Sequence, residues 1–112
     1  MKLMELPNIF IGTDIVEVDW INKLLLRSGE LFKNRVFSTL EQKYCDSKSS
    51  PSIHYAGRFA AKESIIKAVK SSGYNNPIPF KDIEILLSDS GAPIVDFHFV
   101  LEGECKISIL CF

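Results

Sequence analysis

Two acidic side chains stand out for the residues around them. Asp14 interrupts the β-branched run Ile11-Gly12-Thr13-Asp14-Ile15-Val16. An unpaired carboxylate is costly in a buried strand, so Asp14 either faces water at a strand end or answers to a cation. Glu63 lies in Gly57-Arg58-Phe59-Ala60-Ala61-Lys62-Glu63-Ser64-Ile65-Ile66-Lys67, where Glu63 and Lys67 stand four residues apart, as do Arg58 and Lys62. On an α-helix such pairs are neighbours. One interpretation is a salt-bridged solvent face, with Arg and Lys stems along the core and their heads in water. The other is a basic cleft holding one carboxylate, which suits a phosphate bound together with a cation. Magnesium takes one or two protein carboxylates, several waters and phosphate oxygens. Asp14 and Glu63, on different elements with cationic side chains nearby, meet that need, although spacing alone does not bring them together.

The elements that must position these groups can be read from periodicity. Asn8 to Val18 is rich in β-branched and aromatic residues and reads as a first strand, with Gly12 marking a close backbone approach or a bulge. From Asp19, a plausible cap, the spacing turns helical: Trp20, Ile21, Leu24, Leu25 and Leu31 form an apolar stripe, and Gly29 is a break near its end. Thr39 begins a short second helix capped by Ser38 or Thr39. Asp46 to Ser52 is a polar loop, and His54 or Tyr55 opens the most regular helix, which runs to Lys70 with Gly73 as its stop.

On that helix Ala61, Ile65, Ala68 and Val69 share the core side, with Ile66 and Phe59 at its edge. Glu63, Lys67 and Lys70 sit beside it, and Arg58 and Lys62 project into or alongside the apolar arc. Phe80 to Leu87 and Ile94 to Phe99 read as strands joined by the hairpin turn Ser88-Asp89-Ser90-Gly91, and Lys106 to Phe112 as a last strand. The order β-α-α-α-β-β-β predicts an α+β fold, an antiparallel sheet packed with helices, in one domain over residues 1–112.

Composition narrows the setting. A net charge of −1 gives no electrostatic reason to expect nucleic acid, and no apolar run approaches the length of a membrane span. Cys45, Cys105 and Cys111 are odd in number and lack C-x-x-C spacing, and His54 and His98 do not complete a zinc set. Met1 to Pro7 carries Lys2 and Glu5 rather than a signal-peptide core. These features predict a cytoplasmic protein with reduced thiols.

Three stretches together resemble the holo-acyl-carrier-protein synthase family of 4′-phosphopantetheinyl transferases. They are Ile11 to Glu17, Ala56 to Ser64 with Lys67, and Phe80-Lys81-Asp82-Ile83-Glu84-Ile85 followed by Gly91-Ala92-Pro93; Arg35-Val36-Phe37-Ser38 and Glu41-Gln42-Lys43-Tyr44 fit the connecting helices. The resemblance covers residues from about 9 to 97, and its most specific part is the G-R-F-A-A-K-E string with a lysine four residues on. It implies that Asp14 and Glu63 hold Mg2+, and that phosphopantetheine passes from coenzyme A to a serine of apo-acyl carrier protein for fatty-acid biosynthesis. It also implies Glu63, or a water beside it, as proton acceptor. Lys67 would steady the pyrophosphate, and Arg58 and Lys62 would support coenzyme A phosphates. Family members resemble one another in forming trimers and in docking acidic carriers on the first helix, which here offers Lys23, Arg27, Lys33 and Arg35, with Trp20 at a place where arginine is frequent. Trp20 is expected to be a core or interface residue.

The chain departs from the family pattern twice. Lys70-Ser71-Ser72-Gly73-Tyr74-Asn75-Asn76 replaces a glycine-rich turn, so the nucleotide-side loop is expected to differ. Ser108-Ile109-Leu110-Cys111-Phe112 stands where the family has a Ser-x-Ser/Thr-His signature and a returning strand, so that strand is expected to be missing. The apolar edge Ile107 to Phe112 then needs cover from another subunit. The departure at the end supports an alternative: a non-catalytic module that binds coenzyme A or the carrier protein.

Overall fold

The computed structural model describes residues 18–98. Asp14, the first strand up to Glu17, Phe99 and the last strand lie outside the described residues. Val18, read from sequence as the end of a strand, instead opens helix α1 (Val18–Val36). This helix breaks at Ser28, whose φ of −143° and ψ of 39° are non-helical, one residue before the expected break at Gly29. The break resets the phase of the apolar stripe. Ile21 is fully buried ahead of it, and after it Val36 and Phe32, four residues apart, take the inner side. Leu31 is left 60% exposed, outside the stripe expected of it.

Helix α2 (Thr39–Asp46) starts on a reciprocal cap. The Glu41 backbone N–H donates to Ser38 Oγ at 3.2 Å, and the Ser38 backbone N–H donates to Glu41 Oε1 at 2.9 Å. Helix α3 (Pro51–Ser71) begins earlier than the sequence reading placed it. Proline has no N–H to leave unsatisfied and its fixed φ suits the first helical turn, so Pro51 starts the helix rather than closing the loop. The helix stops where expected: Gly73, at φ +100°, donates its N–H to Lys70 O at 3.1 Å.

Two apolar clusters divide the length of α3. Tyr55, Ala56 and Phe59 pack with Ile21, Val36, Phe37 and Cys45 among the helices. Ile65 and Val69 pack with Ile78, Ile83 and Ile85 against the sheet. Phe59 also stacks on Phe80 at 5.1 Å between ring centroids and meets Trp20 edge-on at 5.7 Å. Trp20 is 47% exposed, so within this chain it is not a core residue.

The sheet is reached through a 3-10 turn, Phe80–Asp82, where the strand was expected to begin. The Asp82 N–H closes that turn on Pro79 O at 3.0 Å, and strand β1 (Ile83–Leu87) follows. It pairs antiparallel with β2 (Pro93–Phe97), with Ile83 opposite Phe97, Glu84 opposite Asp96 and Ile85 opposite Val95. The connection closes through the Ser88 N–H to Ala92 O at 2.8 Å, with Gly91 at φ +84°, in the segment read as a hairpin turn. Helices packed on an antiparallel sheet make the α+β arrangement that the order of elements implied.

Candidate active site

Consecutive residues of α3 point to different environments. Lys62 is fully buried, and its Nζ donates to Glu41 Oε1 at 2.7 Å, Val36 O at 2.7 Å and Phe80 O at 3.0 Å. An ammonium group has three protons, and all three are taken. Glu41 is equally buried: its Oε1 also accepts the Ser38 N–H, and its Oε2 accepts the Ile85 N–H at 3.1 Å. The end of α1, the cap of α2, the middle of α3 and strand β1 therefore meet at one ion pair. Burial lowers the Lys62 pKa from the usual lysine value, and the Glu41 carboxylate opposes that shift. The same geometry directs the Lys62 protons to protein oxygens, whereas the sequence reading gave this residue a coenzyme A phosphate.

Arg58 is also buried. Its Nε donates to Ile85 O at 3.2 Å, and its guanidinium lies 4.1 Å from the centroid of the Tyr44 ring. Among the residues described, no hydrogen bond of its terminal nitrogens is seen. Tyr55 fixes the first half of α3 to α2 by donating its hydroxyl to Asp46 Oδ1 at 2.8 Å. Burial, with that bond to the Asp46 carboxylate, pushes the Tyr55 phenol well above its ordinary range. Burial also raises the Cys45 thiol to about 11.

Glu63, Lys67 and Lys70 occupy the side of α3 turned away from this packing, with Glu63 half-buried and Lys67 and Lys70 exposed. Glu63 and Lys67 are one helical turn apart, so the structure brings these two predicted residues together. Their predicted companion Asp14 lies outside the described residues. A carboxylate reachable from solvent, on a rigid helix with cations within two turns, is the kind of oxygen donor that magnesium takes beside phosphate.

Helix α1 leaves Lys23, Arg27 and Arg35 exposed, while Lys33 is tied to Asp46 Oδ1 at 3.2 Å. Leu26, at 81% exposure, and Leu31 stand among these cations. Among the described residues no helix is long and apolar enough to cross a membrane.

Sequence reasoning passed over two features. The Ser-x-x-Glu pattern at Ser38 signalled Glu41 as part of a cap, but its reach to Lys62 and Ile85 spans 21 and 44 residues and leaves no local trace. Glu84, Asp96 and His98 gather at the hairpin, where counting outward from the turn gives the register that joins them.

The family profile described as the 4′-phosphopantetheinyl transferase superfamily matches residues 10–108. The holo-[acyl-carrier-protein] synthase of Protochlamydia amoebophila is 44% identical over 91 residues, covering 81% of this chain and 74% of that protein. The corresponding synthase of Syntrophus aciditrophicus is 40% identical over 87 residues, covering 78% and 67%. Among solved structures, the ACPS-CoA complex of Chronobacterium ammoniagenes superposes with a TM-score of 0.69 at 32% identity, covering 80% of this chain and 71% of that one. The Helicobacter pylori holo-[acyl-carrier-protein] synthase in complex with coenzyme A gives 0.66 at 36% identity, covering 79% and 73%. The match runs through the α3 segment that carries Arg58, Glu63 and Lys67, and the chain belongs to the holo-[acyl-carrier-protein] synthase family of 4′-phosphopantetheinyl transferases.

Proposed function

We propose that this phosphopantetheinyl transferase moves 4′-phosphopantetheine from coenzyme A to a serine of apo-acyl carrier protein, with Mg2+ held by Asp14 and Glu63. The observation that carries the proposal is the placement of Glu63 and Lys67 one turn apart on the open side of α3, while Lys62 is consumed inside. Mg2+, when bound, supplies charge neutralisation at the pyrophosphate oxygens. A Glu63 carboxylate oxygen, directly or through one water, accepts the proton from the carrier serine Oγ. The serine oxygen bonds to the phosphorus that bears the pantetheine, and the bond from that phosphorus to the bridging oxygen breaks. The electron pair leaves with 3′,5′-ADP. Lys67 holds pyrophosphate oxygens through the step, and the terminal nitrogens of Arg58 contact a coenzyme A phosphate.

Acyl carrier protein docks on α1, where Lys23 and Arg27 meet acidic residues and Leu26 and Leu31 supply apolar contact. The product serves fatty-acid biosynthesis in the cytoplasm, and the working form is a homotrimer whose subunits complete one another's sites. Support for carrier docking comes from the exposed cations and leucines of α1 and from the acyl-carrier-protein synthase names of the relatives.

The test is to incubate the protein with coenzyme A, apo carrier protein and Mg2+, then weigh the carrier. A mass gain equal to one phosphopantetheine is expected. Binding of either substrate with no mass gain would instead favour the non-catalytic module.

A further inference from the structure

The edge of β1 at Ile85 is held by side chains from two helices. Ile85 stands opposite Val95 on β2. The N–H and C=O of one residue in an antiparallel strand point to the same edge. At Ile85 both go to helices. The N–H donates to Glu41 Oε2 at 3.1 Å, and the C=O accepts Arg58 Nε at 3.2 Å. The other oxygen of Glu41 accepts the Ser38 N–H at 2.9 Å and Lys62 Nζ at 2.7 Å. One buried carboxylate thus grips the cap of α2, the edge of β1 and the middle of α3.

Its contacts lead to the two charged residues of α3 that precede Glu63. One runs directly to Lys62, the residue next to Glu63. The other passes through the Ile85 peptide to Arg58, about one helical turn before Lys62. Burial of apolar surface is non-directional, so the two apolar clusters hold α3 in place without strongly fixing its rotation. Hydrogen bonds to charged groups have preferred lengths and angles, and two of them on one side of a helix do fix it. A turn of ~10° moves an atom ~6 Å from the helix axis by ~1 Å. Misplacement of about 1 Å can slow a reaction by ~10²-fold.

We propose that Glu41 is a positioning residue for phosphopantetheine transfer: through Lys62 and the Ile85 peptide it sets the rotation of α3 and so the place of Glu63. The proposal rests on the reading of Glu63 as the carboxylate of the transfer site. Glu41 touches no substrate in this role. A buried ion pair adds little stability over a well-packed apolar pair, and what it contributes here is one defined arrangement.

The test separates placement from stability. Glu41→Leu with Lys62→Met removes both charges, so the directional bonds go without stranding an ion. Measured well below its melting temperature, this double variant should transfer ~10-fold more slowly than wild type, with the loss carried by kcat rather than by KM for coenzyme A. Adding the same two changes to Glu63→Gln should cost little further, because the group they position is already gone. A wild-type rate in the double variant, or an equal ~10-fold loss in the Glu63→Gln background, overturns the proposal. A second measurement needs no transfer. Glu41→Gln keeps the side-chain shape but can set an amide nitrogen against the Ile85 N–H, so the backbone amide signals of Glu63 and Lys67 should shift. If the wild type itself transfers nothing, the functional reading falls; placement is then decided by these signals, and unmoved ones overturn it.

Discussion

Lys62 and Glu63 are neighbours in the chain, yet one is locked inside the molecule and the other stands half-open at its surface. About 100° of helical rotation separates them. The inward residue has every proton assigned to Glu41, Val36 and Phe80. It fixes where α3 lies between the two apolar clusters and so fixes the outward residue as well. A charge that is buried and fully hydrogen-bonded holds a fold together, whereas one left on a supported rim is available for chemistry. The inner and outer charges of α3 should therefore fail in different ways.

The largest effect is expected on the outer side. On the proposed mechanism Glu63→Gln removes both a proton acceptor and a metal donor, so transfer followed by carrier mass should slow by ~10²–10⁴-fold. Its thermal melting should stay close to wild type, because Glu63 is not part of the buried pair. On the inner side the outcome reverses. Lys62→Met leaves Glu41 buried beside an apolar group, which costs about 3–5 kcal/mol in urea unfolding. Activity per folded molecule should change far less than in Glu63→Gln. Replacing both partners, as Glu41→Leu with Lys62→Met, should recover much of the lost stability, since the stranded charge is then gone.

Lys67→Ala sharpens the comparison further along the outer side. Loss of the proposed charged contact to pyrophosphate is expected to cost roughly 10–100-fold in kcat/KM for coenzyme A with stability unaltered. An equally large drop in melting temperature would place Lys67 with the inner group.

The smallest effect concerns pH. The Cys45 thiol is raised by burial to about 11, so the folded state keeps a proton that the unfolded chain releases near pH 9. Its contribution is fully present below that lower value and is lost as pH rises through the folded one, amounting to about 3 kcal/mol at most. Tyr55, raised in the same direction, extends the decline to higher pH. Cys45→Ala should flatten the part of the alkaline stability profile between pH 9 and 11. In the native protein at pH 8, Cys45 should resist iodoacetamide, as read by peptide mass mapping.

Much of this division was legible in the sequence. The helical wheel put Arg58 and Lys62 in or alongside the apolar arc and Glu63 with Lys67 beside it, and the structure buries the first pair and leaves the second toward solvent. What it did not carry was the partner that allows a lysine to be buried. Glu41 announces itself locally as a cap, and only the folded chain brings it to Lys62 and to the Ile85 N–H. Boundaries slipped where backbone chemistry overrode apolar pattern: Pro51 started α3 early, and the turn closed on Pro79 delayed β1 to Ile83. The motif of α3 gave the family directly. The Glu84–Asp96–His98 cluster stayed hidden because it depends on cross-strand register.

The central claim is that Asp14 and Glu63 share one ion, and a double-variant cycle on Mg2+-dependent transfer tests it most directly. Two ligands of a single ion act as a unit, so combining Asp14→Asn with Glu63→Gln should cost little more than the worse single change. Losses that multiply independently, or full transfer by either single variant, would contradict it.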